Sequence, residues 1–151
     1  MSAHAWRIGP HEVGFESGIL SVCYHGPIRG PEMSEILALI DAMVARSGAI
    51  CILIDSNDTP GPDVSARRAM STHGFQDVTA MARFQRGVNP SSVFTLLVQN
   101  AARLLGRPTT RTAVFETEGE ARAWLLQMRA TEGRDLIQGA PSRAPSSSKA
   151  R

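Results

Sequence analysis

Residues 49–55 read AICILID, a continuous apolar run that ends in a carboxylate. Gly48 precedes this run, and the turn-forming sequence SNDTPGP, residues 56–62, follows it. A run this apolar, bounded by turn residues, predicts a central strand that is covered on both faces of a sheet. Ligands of open α/β sheets usually bind at the carboxyl edge of such strands. We therefore expect the strand to reach the surface at Asp55 and any function to lie in the loop beyond it.

The chain before this strand predicts a hairpin and then a helix. Residues 6–15 carry short alternating apolar patches, residues 16–18 form a turn, and residues 19–24 read as a second strand. Residues 31–46 are the clearest helix, because Pro31 suits its first turn, Gly48 is a candidate for its C-cap and an apolar stripe has helical spacing. The stripe consists of Met33, Ile36, Leu37, Ile40, Met43 and Val44. A helix between two strands predicts a right-handed crossover, so the flanking strands should be parallel.

The stretch after the loop has two interpretations. Residues 63–76 predict a helix with Asp63 as its N-cap. Residues 77–84 predict a strand, because the alternation of helices and strands requires one at this point. The alternative is that residues 66–84 form one interrupted helix.

The last part of the chain repeats the alternation. Residues 89–106 predict a helix, residues 110–115 predict a short strand, and Thr117 with Glu120 forms a capping box for a final helix. From residue 130 the sequence is rich in Pro and Ser, which predicts a disordered tail over residues 130–151. We therefore expect one α/β domain over residues 1–129, with a mixed, mostly parallel sheet of about five strands and about four helices in the order ββαβαβαβα.

The composition excludes several classes of protein. Of the 151 residues, 42% are hydrophobic, which is enough for one packed domain. No apolar run approaches the roughly 20 residues of a membrane helix, and the N-terminus lacks the basic and apolar pattern of a signal peptide. We expect a cytoplasmic protein without a transmembrane segment, in which Cys23 and Cys51 are free, buried thiols.

Three stretches resemble the bacterial SpoIIAA-like family. They are the strand ICILID at residues 50–55, the helix end AARLLG at residues 101–106 and the last strand and helix, FETEGEARAWL at residues 115–125. The resemblance covers roughly residues 6–128 and implies the STAS fold of anti-sigma-factor antagonists, which are non-enzymatic regulators with protein partners. It also implies a looser kinship with CRAL-TRIO lipid-transfer domains.

The resemblance further implies a regulatory serine. STAS antagonists carry a phosphorylatable Ser at the start of the helix after the central strand, within an Asp-Ser-Ser-Gly-type motif. The corresponding sequence here is GPDVS, residues 61–65, so Ser65 occupies the expected place although the motif itself is absent. A phosphate there would be stabilised by the helix N-terminus. The alternative is a helical serine without a regulatory role.

Carboxylates and histidines offer the remaining candidates for chemistry. Asp55, Asp58 and Asp63 cluster around the loop, where carboxylates bind partners or cations but also form turns and helix caps. The four histidines are scattered, and His25 approaches Asp55 only if their strand ends are adjacent. No metal-ligand spacing, phosphate loop or nucleophile–base pair is readable, so we expect no metal, no cofactor and no catalytic residues.

Basic and apolar side chains give weaker candidates. Residues 64–115 carry seven Arg and one acid, Asp77. Within them, Arg83 and Arg86 are candidates to face an anion, unless Arg is simply the preferred surface cation of this chain. A nucleic-acid site is not expected, because aromatic platforms are lacking. The apolar residues Met70, Phe75, Met81 and Phe84 are candidates for a lipid slot, unless they belong to the core.

The sequence therefore leads to two hypotheses of function. The first is a non-enzymatic, STAS-type interaction module that binds a protein partner through residues 56–65, with Asp55, Asp58, Asp63 and Ser65 as its contact residues. The second is a domain that binds a small apolar molecule or lipid.

Overall fold

The computed structural model describes residues 3–87 and 110–138. Within these ranges six strands and three helices occur. The strands are β1 (His4–Ile8), β2 (His11–Glu16), β3 (Ile19–His25), β4 (Ile50–Asp58), β5 (Val78–Phe84) and β6 (Arg111–Phe115), and the helices are α1 (Gly30–Ser47), α2 (Val64–Thr72) and α3 (Glu118–Gln138). The predicted helix at residues 89–106 lies outside the described ranges.

The strands form one mixed sheet in the order β1-β2-β3-β4-β5-β6. β1, β2 and β3 are antiparallel neighbours, whereas β3, β4, β5 and β6 pair in parallel. The predicted α/β class and parallel crossover are confirmed. The prediction of about five strands is wrong, because residues 6–15 belong to two strands: Gly9 adopts a φ of 57° and turns the chain back on itself.

The helix caps explain where α1 and α2 begin and end. Gly48 ends α1 with a φ of 78°, and its N–H donates to the carbonyl of Val44 at 2.8 Å. The Asp63 carboxylate begins α2 by accepting the N–H of Ala66 at 2.8 Å. Both caps match the sequence prediction. α2 ends at Thr72, earlier than the predicted residue 76.

Two corrections concern the strands near the centre of the sheet. β4 continues to Asp58 instead of ending at Asp55, because Asp58 pairs with His25 on β3 and extends the ladder. Residues 78–84 form strand β5, which pairs in parallel with β4, so the alternative of one interrupted helix is wrong.

The two faces of the sheet are covered differently. α1 and α2 pack on one face, which we call the covered face, over a core that includes Leu20, Ile36 and Ile52. α3 packs on the other face over β4, β5 and β6, where Leu53 and Leu125 are buried. The same face of β1, β2 and β3 carries partly exposed polar residues. We call this second face the half-open face.

The ends of the chain leave part of the sequence prediction untested. α3 runs to Gln138, beyond the predicted domain end at residue 129, and residues 139–151 of the predicted tail lie outside the described ranges. In the described part of the chain, no helix is both long and apolar enough to cross a membrane.

Candidate functional site

A row of polar residues crosses the half-open face. Arg7 on β1 lies opposite Glu12 on β2, Glu12 lies opposite Cys23 on β3, and Cys23 lies opposite Asp55 on β4. Neighbouring members of the row are in contact: Arg7 Nη2 is 3.1 Å from Glu12 Oε1, and Cys23 Sγ is 3.5 Å from Asp55 Oδ2. Strand register alone places these four side chains together, because directly opposed residues share one face.

His25 joins this row from the carboxyl end of β3. Its Nε2 is 3.6 Å from Cys23 Sγ and 3.8 Å from Glu12 Oε2, and its Nδ1 is 3.0 Å from Asp58 Oδ2. The condition set by the sequence, adjacent strand ends, is met, but His25 pairs with Asp58 and its ring contacts that residue. The backbone N–H of His25 also donates to Nδ1 of the buried His11 at 3.0 Å, which anchors the strand end.

Burial and the neighbouring carboxylates favour the protonated form of Cys23. Burial, followed by the Asp55 carboxylate, raises the pKa of the Cys23 thiol to about 11. The hydrogen bond to Asp58 raises the pKa of His25 above its usual 6.5. A catalytic Cys–His pair needs a lowered thiol pKa, so this pair lacks the property that would make it a nucleophile at neutral pH.

An open groove of about 640 Å³ runs along the polar row. Its lining includes Arg7, Glu12, Ser21, Cys23, Asp55 and Glu118. Glu118 belongs to the first turn of α3, so the groove lies between strands β1 to β3 and the start of that helix. Solvent therefore reaches Cys23, which is half-buried; the prediction of two buried thiols holds only for Cys51.

Two loops at the carboxyl edge of β3 and β4 are tied together. The N–H of Gly26 donates to Asp58 O at 2.7 Å, and Ile28 forms a β-bridge with Pro62. The hydroxyl of Thr59 adds a bond to Gly26 O at 2.7 Å. We call these paired loops, residues 25–29 and 58–63, the ridge. Its backbone bonds hold an otherwise irregular segment in one conformation.

Ser65 lies at the base of the ridge, between the starts of α1 and α2. Its Oγ accepts the N–H of Gly30 at 3.0 Å and donates to Asp63 Oδ1 at 2.7 Å. The bond from the Ala66 N–H, followed by that from the Ser65 hydroxyl, lowers the pKa of Asp63. Asp63 is therefore ionised at neutral pH, and both side chains are exposed.

The predicted contact residues fall into two groups. Asp58, Asp63 and Ser65 belong to the ridge or its base, whereas Asp55 points into the row on the half-open face and accepts the side-chain N–H of Asn57 at 2.9 Å. Asp58 connects the two groups, because it is part of the ridge and also holds His25.

Arg83 and Arg86 have different surroundings. Arg83 is exposed and pairs with Ile54 and Val114, which places it on the covered face of the sheet, near its edge. Arg86 lines a hollow of about 420 Å³ with Glu116 and Glu118. Carboxylates in that hollow oppose the binding of an anion. An anion-facing role for the two arginines stays a prediction.

The four candidates for a lipid slot do not share one side of the sheet. Met70, Phe75 and Met81 pack against the core of the covered face, whereas Phe84 belongs to the core beneath α3. Met81 and Phe84 are three positions apart on β5, so their side chains point to opposite faces of the sheet. The predicted slot is therefore not formed by this set.

Sequence reasoning missed Glu12 and Cys23 as site residues. A signal for part of the group was present: Cys23 and His25 are two positions apart in a strand whose intervening residue, Tyr24, is apolar. That alternation places both polar side chains on one face. The partner on β2 was not readable, because it depends on the register of the hairpin.

Comparison with known proteins identifies the fold. No protein-family model matches the sequence, and no curated protein matches it either. Among solved structures, the chain is similar to an uncharacterised protein of the DUF3478 family with a SpoIIAA-like fold from Shewanella loihica, with 18% identity, a TM-score of 0.53, and coverage of 82% of this chain and 92% of that one.

Two further solved structures have lower scores. An anti-sigma factor antagonist from Mycobacterium paratuberculosis has 15% identity and a TM-score of 0.48, and the match covers 83% of this chain and 95% of that one. The anti-sigma factor antagonist SpoIIAA in its unphosphorylated form has 10% identity and a TM-score of 0.44, with coverage of 91% and 99%. The similarity to the Shewanella loihica structure, with its TM-score of 0.53, shows that the chain has a SpoIIAA-like fold, so the predicted resemblance is confirmed at the level of fold.

Proposed function

We propose that this domain is a non-enzymatic regulatory module that binds a protein partner through the ridge and the start of α2. The observation that carries the proposal is the bonding of two loops into one support for exposed polar groups. Gly26 and Ile28 on one loop are bonded to Asp58, Gly61 and Asp63 on the other. A surface held in this way loses little conformational entropy when a partner binds.

The side chains that the ridge presents suit a polar contact. Asp58, Asp63 and Ser65 are exposed, and the pKa of Asp63 is lowered by its bonds to Ala66 and Ser65. The carboxylates of Asp58 and Asp63, beside the exposed Arg29, favour a partner whose charges complement this pattern, which would increase the association rate and fix the orientation of the complex.

Ser65 is the position at which we propose regulation. A phosphoryl group on its Oγ would place close to two negative charges beside the Asp63 carboxylate, which is 2.7 Å from that oxygen. The repulsion would displace Asp63 from the N–H of Ala66 and loosen the start of α2. At the same time, the N-termini of α1 and α2 would attract the phosphate. Phosphorylation of Ser65 would therefore put a phosphate in the place of the Asp63 carboxylate at this edge and alter the contact surface.

The surroundings of Cys23 do not activate it as a nucleophile. Cys23 and His25 are the cysteine–histidine pair that these ranges bring into contact, and carboxylates surround both. That environment keeps the thiol protonated, which is opposite to the arrangement of cysteine hydrolases and transferases.

Affinity capture with a matched pair of variants tests the proposal. The full chain and its Ser65→Glu and Ser47→Glu variants serve as bait in a lysate of the source cells, and quantitative mass spectrometry measures what each retains. Ser47 is exposed at the opposite end of α1, so Ser47→Glu makes the same chemical change far from the ridge. We expect a protein that binds wild type and Ser47→Glu equally and binds Ser65→Glu at least about tenfold less.

Hydrogen exchange of the captured complex then locates the contact. The amides of residues 58–66 should exchange more slowly in the complex than in the free protein. A lysate in which every retained protein binds Ser65→Glu as well as wild type, with both variants folded by circular dichroism, would show that the proposed surface is wrong.

A further inference from the structure

We propose that Glu12, Cys23 and His25 form a binding site for a divalent transition metal ion of borderline softness, for which Zn²⁺ is the reference. Glu12 and Cys23 lie on the half-open face, apart from the contact surface proposed above, and His25 joins them from the first position of the ridge. Each offers one ligand atom, and these atoms all lie within 4.8 Å of one another.

Two of the three distances between the ligand atoms fit a tetrahedral ion, and the third, from Cys23 Sγ to the Glu12 carboxylate, is within 4.8 Å. Cys23 Sγ is 3.6 Å from His25 Nε2, and Nε2 is 3.8 Å from Glu12 Oε2. Metal–ligand bonds of about 2.0 to 2.3 Å place the corners of a tetrahedron roughly 3.3 to 3.8 Å apart. An ion therefore fits between these atoms with small side-chain adjustments. A thiolate, an imidazole and a carboxylate are also the three ligand types that Zn²⁺ accepts.

The orientation of the His25 ring is a second observation that points to a metal. Its Nδ1 is bonded to Asp58 at 3.0 Å, which directs Nε2 toward Cys23 and Glu12. In the neutral ring, a proton held on Nδ1 by a carboxylate leaves the lone pair of Nε2 free. A carboxylate behind a histidine in this way is the usual support of a metal ligand.

The charge of the site also favours a cation. Asp55 and Glu12 flank Cys23, Asp58 adds a third carboxylate beyond His25, and Arg7 supplies one positive charge through Glu12. A divalent ion would neutralise this excess. Binding converts the thiol to a thiolate: the S–H bond breaks, the S–metal bond forms, and the proton leaves to solvent, so binding should strengthen as the pH rises. Glu12 and Cys23 both line the groove, so the ion reaches the site from solvent.

Titration of the metal-free full chain with Co²⁺ tests the site, because Co²⁺ occupies zinc sites and a thiolate ligand gives it a near-ultraviolet charge-transfer absorption. We expect that absorption to saturate at one ion per chain and to disappear when Zn²⁺ is added. In the same wild-type protein, Zn²⁺ should slow the alkylation of Cys23. Neither measurement requires a variant, so a folding defect cannot obscure them.

Variants then assign the ligands. Cys23→Ser and His25→Asn should each weaken Zn²⁺ binding at least about 100-fold, and Asp58→Asn should weaken it about 10- to 100-fold. Cys51→Ser removes the other thiol, and His73→Asn removes a histidine that also pairs with a carboxylate, Asp41. Both controls should bind as wild type does.

Two results would overturn the proposal. One is a wild-type protein that shows no thiolate–cobalt absorption when Co²⁺ is in excess. The other is binding that Cys23→Ser and His25→Asn leave unchanged, which would assign the metal to other residues.

Discussion

The covered face and the half-open face of the sheet are built from the same strands, but the first forms the larger core and the second carries the polar row. On β3, Leu20, Val22 and Tyr24 point to the covered face and are buried beneath α1. The alternate residues Ser21 and Cys23 point to the half-open face and remain partly exposed. One strand thus contributes to the core with one set of residues and to a polar site with the other.

The contrast shows how a small sheet separates stability from chemistry. The covered face contains the long apolar stripe of α1 and most of the buried side chains. On the half-open face, α3 packs on β4, β5 and β6, so the side chains of β1, β2 and β3 lack apolar contact with that helix. Charged groups therefore gather where none of the described helices excludes water from them, and the cost of burying a charge is avoided.

Substitution of two neighbouring residues on β3 is the strongest test of this contrast. Leu20→Ala leaves a cavity in a site that is fully buried and should lower the free energy of unfolding by about 2 to 5 kcal/mol. Ser21→Ala removes a long hydrogen bond of 3.4 Å to Gly14 O on the half-open face and should change it by about 0.5 kcal/mol or less. Urea unfolding followed by circular dichroism measures both.

A similar loss of unfolding free energy in the two variants would contradict the conclusion that the covered face contributes most of the stability. The same neighbouring-residue test applies to α3, where Leu125 is fully buried and Leu126 is 51% exposed. Leu125→Ala with Leu126→Ala therefore serves as an independent control for the core beneath that helix.

Much of the fold was predictable because local signals agree with one another. Asp63, Gly48 and Thr117 mark helix ends in the sequence, and each has its predicted contact in the structure. The misses have physical causes. Asp58 reads as a turn residue, yet β3 offers it a pairing partner in His25, and strand pairing prevails over local turn preference.

The site was less predictable than the fold. Asp55 and Asp58 were identifiable because they follow the central strand directly. Glu12 and Cys23 are brought together by the register of β2 and β3, and a shift of one position would send one of them to the other face. The predicted turn over residues 16–18 does not give that register, which follows from a tighter turn at Ser17 and Gly18 alone, both with positive φ, and from the packing of the opposite face.

The Cys23 thiol on the half-open face should be less acidic than an ordinary thiol. Burial, with Asp55 as the next cause, raises the pKa of Cys23 from 9.0 to about 11. At pH 8 the thiolate fraction should therefore be roughly 100-fold below that of an ordinary thiol, and alkylation should be correspondingly slow. The rate of iodoacetamide modification against pH, in metal-free protein carrying Cys51→Ser, measures the midpoint.

Asp55→Asn should move that midpoint down toward 9.0 without reaching it, because burial remains the larger cause. Asp41→Asn is the matched control, since Asp41 contacts His73 and lies on α1, away from Cys23. A midpoint at or below 9.0 in the parent protein would mean that the carboxylates do not act on the thiol as the geometry indicates.

The smallest effect is expected at His25, where the polar row meets the ridge. The hydrogen bond to Asp58 raises the pKa of His25 above 6.5 in the folded state, so the folded protein holds this proton more tightly than the unfolded chain does.

The resulting stabilisation of the folded protein is fully present below about pH 6.5 and is lost as the pH rises through the folded-state pKa of His25. Asp58→Asn should remove the larger part of this stabilisation, because Glu12 remains as a smaller cause. In metal-free protein, the melting temperature of wild type relative to Asp58→Asn should therefore be higher at pH 5.5 than at pH 8.5, and NMR titration of the His25 ring should show a higher midpoint in wild type. A difference between the two proteins that grows with pH would reverse the sign and would show that His25 and Asp58 do not form this pair in solution.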